Sequence, residues 1–476
     1  MVDAVWHRGS AMAVIAGLLG LQRLVGVHAT GEAKLLIGHV LSLALCAAVM
    51  ELGSPTLCRW FIKPSATANV NKPARVYVLL TLLLVVSAFS RDTARFFALF
   101  PSPPPTIPLA VLVGLWIAFL VRVVHQGFSN ASMAVALVGL AVGVRVLNLG
   151  TLPFHRLDGD MLATIDRGLE ELMSGRFPYA NFPPPMPYLP GTFLAYLPAK
   201  LLGVDLRWAN IVLDAMVVVA TIHLAQRLAN RSRAGHSASA GSGPLLNQLL
   251  LPCLMLHPVW IQYGVNTQYS PSLLVTLLLG FSVLFGNHLA QAMALGLAVG
   301  SNQMLGACGP ILFAHWLGRF GPRRATGLAL LAAAVFLLIL APFLLWEPRR
   351  FIEVAFLSRN RFDDALMAGR FTLLPLASRL VPRADLVGSA AALATASWVV
   401  LGSRKPSTTV AAMASGLCAA LMFQPVSFAH YFLPAIVLAS VIPVAPAAVA
   451  ERTAPRPPRV GRVAKVSPRA GAGTTA

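Results

Sequence analysis

The chain has 476 residues, of which 57% are hydrophobic and only 11% charged. No soluble globule buries that much apolar surface, so the composition excludes an ordinary soluble domain and reads as a polytopic membrane protein. Lys and Arg total 37 against 17 Asp and Glu, a formal charge of +20. That excess lies in short loops and the tail, which makes it a topology signal, and no nucleic-acid-binding module accompanies it. The five cysteines, Cys46, Cys58, Cys253, Cys308 and Cys418, are scattered without CxxC or Cys/His spacing. Neither a disulfide framework nor a metal site is expected from them.

In chain order, apolar stretches able to cross about 30 Å of hydrocarbon, singly or as paired short helices, number about fourteen. They fall at 10–27, 35–52, 75–90, 107–124, 131–150, 208–227, 245–263, 271–286, 289–303, 304–318, 325–346, 385–401, 408–423 and 428–446. The expected fold is an all-α, polytopic transmembrane helical bundle. The first stretch follows Arg8 with no small-residue cleavage site and reads as an anchor, not a signal peptide. The stretch 187–203 is apolar enough to span, but Pro187, Pro190 and Pro198 disrupt a regular helix.

Charge decides that case. With 187–203 lying in the interface, four basic groups share one side: Arg59, Lys63 and Lys72; Arg227, Arg231 and Arg233; Arg319, Arg323 and Arg324; Arg404 and Lys405. The basic tail falls with them. Both termini are then cytoplasmic, and the polar insert from Asp158 to Pro190 is extracytoplasmic, in a multi-pass protein of the cell (inner) membrane. The expected organisation is an N-terminal transmembrane module at 1–128, a core at 129–446 with outer loops 151–207 and 347–384, and a basic, disordered tail at 447–476 that touches anionic membrane lipids. Asn230 to Gly243, rich in Ser, Gly and Ala, reads as a flexible linker.

The insert carries the chemistry. Asp158 and Asp160 are two apart, so on an extended segment both side chains point one way. From Met161, the residues Leu162, Ile165, Leu169, Leu172 and Met173 form one face of a helix, with Asp166, Arg167, Glu170 and Glu171 on the other. Gly175 ends that helix, and Pro178-Tyr179 begins a return through Pro183-Pro184-Pro185.

The order Asp160, Gly175, Pro178-Tyr179, Pro183-Pro184-Pro185 and Trp208-Ala209-Asn210 resembles the first outer loop of GT-C glycosyltransferases. The likeness covers roughly 131–446 and is greatest to bacterial polyprenyl-phosphate-mannose-dependent mannosyltransferases. It implies a GT-C-like bundle whose extracytoplasmic loop carries amphipathic and juxtamembrane helices. It also implies transfer of a hexose, mannose or similar, from a polyprenyl-phosphate donor to a glycan, glycolipid or protein acceptor. In that class an acidic residue soon after a span is the catalytic base, which points to Asp160, with Asp158 second. Tyr179 is expected to bind substrate. Gln268, in Gly264-Val265-Asn266-Thr267-Gln268-Tyr269, stands where such proteins often carry an Asn-Gly-Gln stretch, and His430-Tyr431-Phe432-Leu433-Pro434 is similar to a late outer-end His-Tyr motif. One departure is that four spans precede the span leading into the insert, so residues 1–128 would be an added module.

A lipid-phosphate sugar already has a good leaving group, so transfer needs a base for the acceptor hydroxyl and positive charge for the departing phosphate. The loop 347–370 holds Arg349, Arg350, Arg359, Arg361 and Arg370 against the positive-inside trend. Arg359, Arg361 and Arg370 are therefore the expected phosphate ligands. No cofactor beyond the donor is implied.

Plainer readings stand beside these. Asp158 and Asp160 also suit a helix N-cap. Asp166, Glu170 and Glu171 suit a solvated face, and the outer arginines suit pairing with Glu347, Glu353, Asp363 and Asp364 or with headgroups. His430 suits a hydrogen-bonded interfacial role, and Asn266 and Gln268 suit ordinary loop polar groups. Trp208, Trp260, Trp316 and Trp346 sit at span ends as interfacial anchors. The rival function is a multi-pass transporter or flippase of lipid-linked sugars, which requires ionisable groups at mid-membrane. Nearly all charges lie at span ends, with Asp214 the exception. A catalytically inactive assembly factor is the third reading.

Overall fold

The computed structural model describes residues 160–180, 188–234, 269–357, 374–378, 380–403, 405–424 and 429–441, with single residues between 139 and 149. Among them every regular element is helical. The module 1–128, the span 245–263, residues 235–243 of the expected linker and the tail 447–476 lie outside the described residues.

The elements are α1 (Asp160–Met173), α2 (Pro190–Leu194), α3 (Leu197–Leu201), α4 (Arg207–Ala234), α5 (Tyr269–Phe285), α6 (His288–Ser301), a 3-10 turn at Gln303–Ala307, α7 (Cys308–Phe320) and α8 (Pro322–Trp346). There follow α9 (Pro348–Ile352), α10 (Leu374–Ala377), α11 (Ala384–Leu401), α12 (Pro406–Leu421), a second 3-10 turn at Ala429–Phe432 and α13 (Leu433–Ser440). Among the described residues, three helices are long and apolar enough to cross a membrane: α4, through its residues Arg207–Leu224, α8 and α11. The outward faces of α8 (Leu330, Leu337, Leu338, Leu345) and α11 (Leu386, Val387, Trp398, Val399) are apolar and exposed, a surface suited to hydrocarbon and not to water.

The proline-bearing stretch 187–203 forms two five-residue helices, α2 and α3, each with a proline in its first turn. At about 1.5 Å per residue, neither approaches the length of a span. The expected linker from Asn230 starts later than the sequence suggests, because α4 continues through Ala234. Once a helix is nucleated each further residue adds a hydrogen bond at little cost, and Arg and Ala extend it readily.

The core binds α4 to α8 and α11 to α13 through one buried cluster that includes Val217, Leu277, Phe281, Leu312, Trp316, Leu417 and Ile436. α6 and α8 run parallel and very close. A Cβ at Gly296 would stand 2.5 Å from the Ala332 carbonyl oxygen, and one at Gly300 would stand 2.7 Å from the Ile339 side chain. The glycines four apart let the two backbones meet, which is how helices pack tightly where no hydrophobic effect drives them together. The Trp316 indole donates to Gln291 Oε1 at 2.7 Å, and Gln291 Nε2 donates to the Ser282 carbonyl at 3.2 Å. These bonds satisfy polar groups inside the bundle.

Helix direction gives the bundle two distinct ends. α5, α11 and α13 begin, and α6, α8 and α12 finish, at one end. There Gln424 Nε2 donates to Ser389 Oγ at 3.2 Å and the Tyr269 and Tyr431 rings lie 5.7 Å apart. At the opposite end, His288 Nε2 meets the Arg324 guanidinium at 2.7 Å. The insert packs on the first of these ends.

Candidate functional site

α1 is amphipathic as its sequence pattern predicts. Leu162, Ile165 and Leu169 are buried and Leu172 packs against them, while Met173, at the edge of the expected face, is exposed. The helix stops at Gly175, whose φ of +69° is the left-handed conformation that glycine adopts freely. Gly175 N donates to the Leu172 carbonyl at 3.0 Å and Arg176 N to the Glu171 carbonyl at 2.9 Å, the paired closing bonds of a Schellman cap. The Arg176 guanidinium also clasps the Glu171 carboxylate, and that hydrogen bond holds the Glu171 carboxyl below its ordinary range.

Beyond the cap, Phe177 and Tyr179 turn inward. The Tyr179 ring meets Phe351 edge-on at 4.9 Å, Phe343 at 5.9 Å and Phe193 at 6.0 Å, and its hydroxyl donates to the Tyr188 carbonyl at 2.8 Å. Burial pushes this phenol well above its ordinary pKa. Tyr179, expected as a substrate ligand, thus spends both its ring and its hydroxyl on the protein, joining the insert to α8 and α9. Packing explains the difference, since a flat apolar ring beside three phenylalanines gains more by burial than by standing in the interface.

Further contacts fasten the insert. The Thr192 hydroxyl donates to the Ser301 carbonyl at the end of α6, and Gly191 lies so close to Gly300 that a Cβ there would stand 2.6 Å from the Gly300 carbonyl oxygen. Lys200 on α3 donates to Asp166 at 2.6 Å and to Glu170 at 2.8 Å, tying α3 to α1. Partial burial works against the Lys200 charge, but the bonds to the two carboxylates outweigh it and raise the amine above its usual pKa. Asp166 and Glu170 are therefore ion-pair partners and not merely a solvated face.

Beneath the insert lies a buried polar group that crosses four segments. Arg145 Nε donates to Asp214 Oδ2 at 2.6 Å, with both side chains 1% exposed. The Ser270 hydroxyl, at the start of α5, also faces this carboxylate. Asp214 Oδ1 nevertheless makes no hydrogen bond of normal geometry. One turn along α4, Asn210 accepts from the Tyr196 hydroxyl at 2.6 Å, and Tyr196, between α2 and α3, is near enough to feel the Asp214 charge. Each of Arg145 and Asp214 is a lone charge in an otherwise apolar span, and that is the sequence signal for the pair: an unpaired charge at such a depth costs several kcal/mol, on the order of 3 or more.

Of the expected site residues, Asp160 is the first residue of α1, and His430 lies in the 3-10 turn Ala429–Phe432, directly before Tyr431. Asp158, Gln268, Arg359, Arg361 and Arg370 lie outside the described residues. Because the Tyr269 and Tyr431 rings are in contact, the chain positions that adjoin Gln268 and His430 meet at the end of the bundle covered by the insert. Among the described residues no group of three or more His, Cys, Asp or Glu side chains is arranged to hold a metal ion. A cavity of about 340 Å³ between α6, α7 and α8, lined by residues such as Leu295, Phe313, Trp316 and Phe336, is apolar and lies apart from these polar groups. The chain matches no family model, no curated protein and no solved structure.

Proposed function

We propose that the chain is an integral-membrane glycosyltransferase of GT-C type. It has about fourteen spans in this reading, and it moves mannose or a similar hexose from a polyprenyl-phosphate donor to an extracytoplasmic glycan, lipid or protein acceptor. Asp160, with Asp158 as the second candidate, removes the proton from the acceptor hydroxyl. The hydroxyl oxygen attacks the anomeric carbon and the lipid phosphate departs with the bonding electrons. Arg359, Arg361 and Arg370 offer that phosphate charge-assisted hydrogen bonds, and Gln268 and His430 serve the sugar. Tyr179 in this scheme holds the insert in place.

The observation that supports the reading is the arrangement of one bundle end. The insert, whose helix α1 starts at Asp160, covers the same end at which the rings of Tyr269 and Tyr431, next in sequence to Gln268 and His430, lie 5.7 Å apart. The test is transfer from a polyprenyl-phosphate sugar in membranes carrying the Asp160→Asn variant. Loss of about a hundredfold or more in rate with normal expression is expected, since the change keeps shape and removes the base. Near wild-type turnover would exclude Asp160 and shift the assignment to Asp158.

A second reading, transport or flipping of a lipid-linked sugar, draws on the Arg145–Asp214 pair, because ionisable groups within a span commonly mark transport pathways. Reconstituted vesicles separate the two: lipid-linked sugar that crosses the bilayer without transfer favours the flippase.

A further inference from the structure

We propose that the Arg145–Asp214 ion pair is a positioning site that holds the insert, and with it α1 and Asp160, over the bundle end. The pair sits where four of the segments that reach this end come together. Arg145 comes from the helical segment that precedes the insert, and Asp214 from α4, which follows it. Ser270 brings the start of α5 to the same carboxylate, next to Tyr269 and its partner Tyr431. Tyr196 brings the insert itself, through its bond to Asn210 one turn from Asp214.

The geometry argues against a role in mere stability. A fully buried carboxylate with one oxygen lacking a bond of normal geometry is an expensive arrangement, and an apolar pair of similar size would hold two spans together at least as well. What an apolar pair lacks is direction. A charge-assisted bond fixes the rotation and depth of the helix that carries Arg145 relative to α4. Because the insert is strung between those two helices, their relative register sets where it lies. Fully buried, Asp214 does not touch substrate; it acts through the elements that do.

The test uses the full chain in nanodiscs, with Arg145→Met and Asp214→Leu singly and together. Each single variant removes one member of a buried ion pair and lowers the unfolding temperature, whereas the double variant returns it close to wild type. Positioning requires that in the double variant the amides of residues 160–180 still exchange about tenfold faster than in wild type, although global unfolding is restored. The transfer arm rests on the function proposed above: kcat falls about tenfold or more while KM for the polyprenyl-phosphate donor stays within about twofold. Wild-type exchange at 160–180 in the double variant overturns the proposal whatever the enzyme's activity. A loosened insert with unchanged kcat overturns its link to the reaction. Faster exchange in a protein whose wild type transfers no sugar upholds the positioning role and sinks the glycosyltransferase reading alone.

Discussion

The Tyr196 hydroxyl donates to Asn210 Oδ1 at 2.6 Å with both residues buried, so a side chain of the insert is bonded directly to the shaft of a membrane-length helix. Tyr196→Phe keeps the ring and removes only this buried donor to the Asn210 oxygen. A loss of about 1–3 kcal/mol is expected, read as a lower unfolding temperature in detergent. A variant as stable as wild type would mean that Asn210 finds another partner.

Glycine spacing on α6 gives a second expectation. Gly296→Ala would drive a methyl group to 2.5 Å from the Ala332 carbonyl, so α6 and α8 must part. Overpacking of this kind costs about 1–3 kcal/mol. Gly309→Ala, on α7, meets nothing within 4 Å and serves as the control, with neutral or slightly improved stability. Equal melting of both variants and wild type would show that the two helices are not in close contact.

The Lys200 clamp predicts a dependence on alkali. The amine is raised above its usual 10.5 in the folded chain, so its contribution is complete below 10.5 and is lost as pH climbs through the higher folded value. Lys200→Met should be less stable than wild type from neutral pH to about pH 10, and the two curves should converge at higher pH. Chemical unfolding across that range measures it; a constant gap would assign the effect to packing of the Lys200 stem.

Sidedness is tested with described, exposed positions. A single cysteine at Met173 on α1 should react with an impermeant thiol reagent from outside intact cells, and one at Arg323, at the start of α8, only after permeabilisation. The reverse pattern would invert the topology drawn from the basic loops and move the insert to the cytoplasm.

Local pattern made α1 readable: Leu162, Ile165 and Leu169 recur at helical spacing, and Gly175 is a stop that needs no knowledge of the rest of the chain. The interruption of 187–203 was readable for the same reason, since proline acts on its own helix. What the sequence concealed depends on distant segments. Asp166 and Glu170 look solvated until α3 returns Lys200 to them, and Tyr179 looks available until α8 and α9 supply Phe343 and Phe351. Arg145 and Asp214 are visible as lone charges, but nothing in either span says which helices are neighbours. Length alone also misleads, because α6 and α7 have 14 and 13 residues, short of a full crossing by themselves.

The aromatic contacts of Tyr179 have a consequence for chimeric proteins. Phe343 belongs to α8 and Phe351 to α9, so the wall against which the insert rests is supplied by chain far downstream. A graft of residues 160–206 onto another bundle would leave the Tyr179 ring without its seat and the insert tethered only by its two ends. The portable unit is discontinuous, and a working transplant must carry residues 340–357 along with the insert.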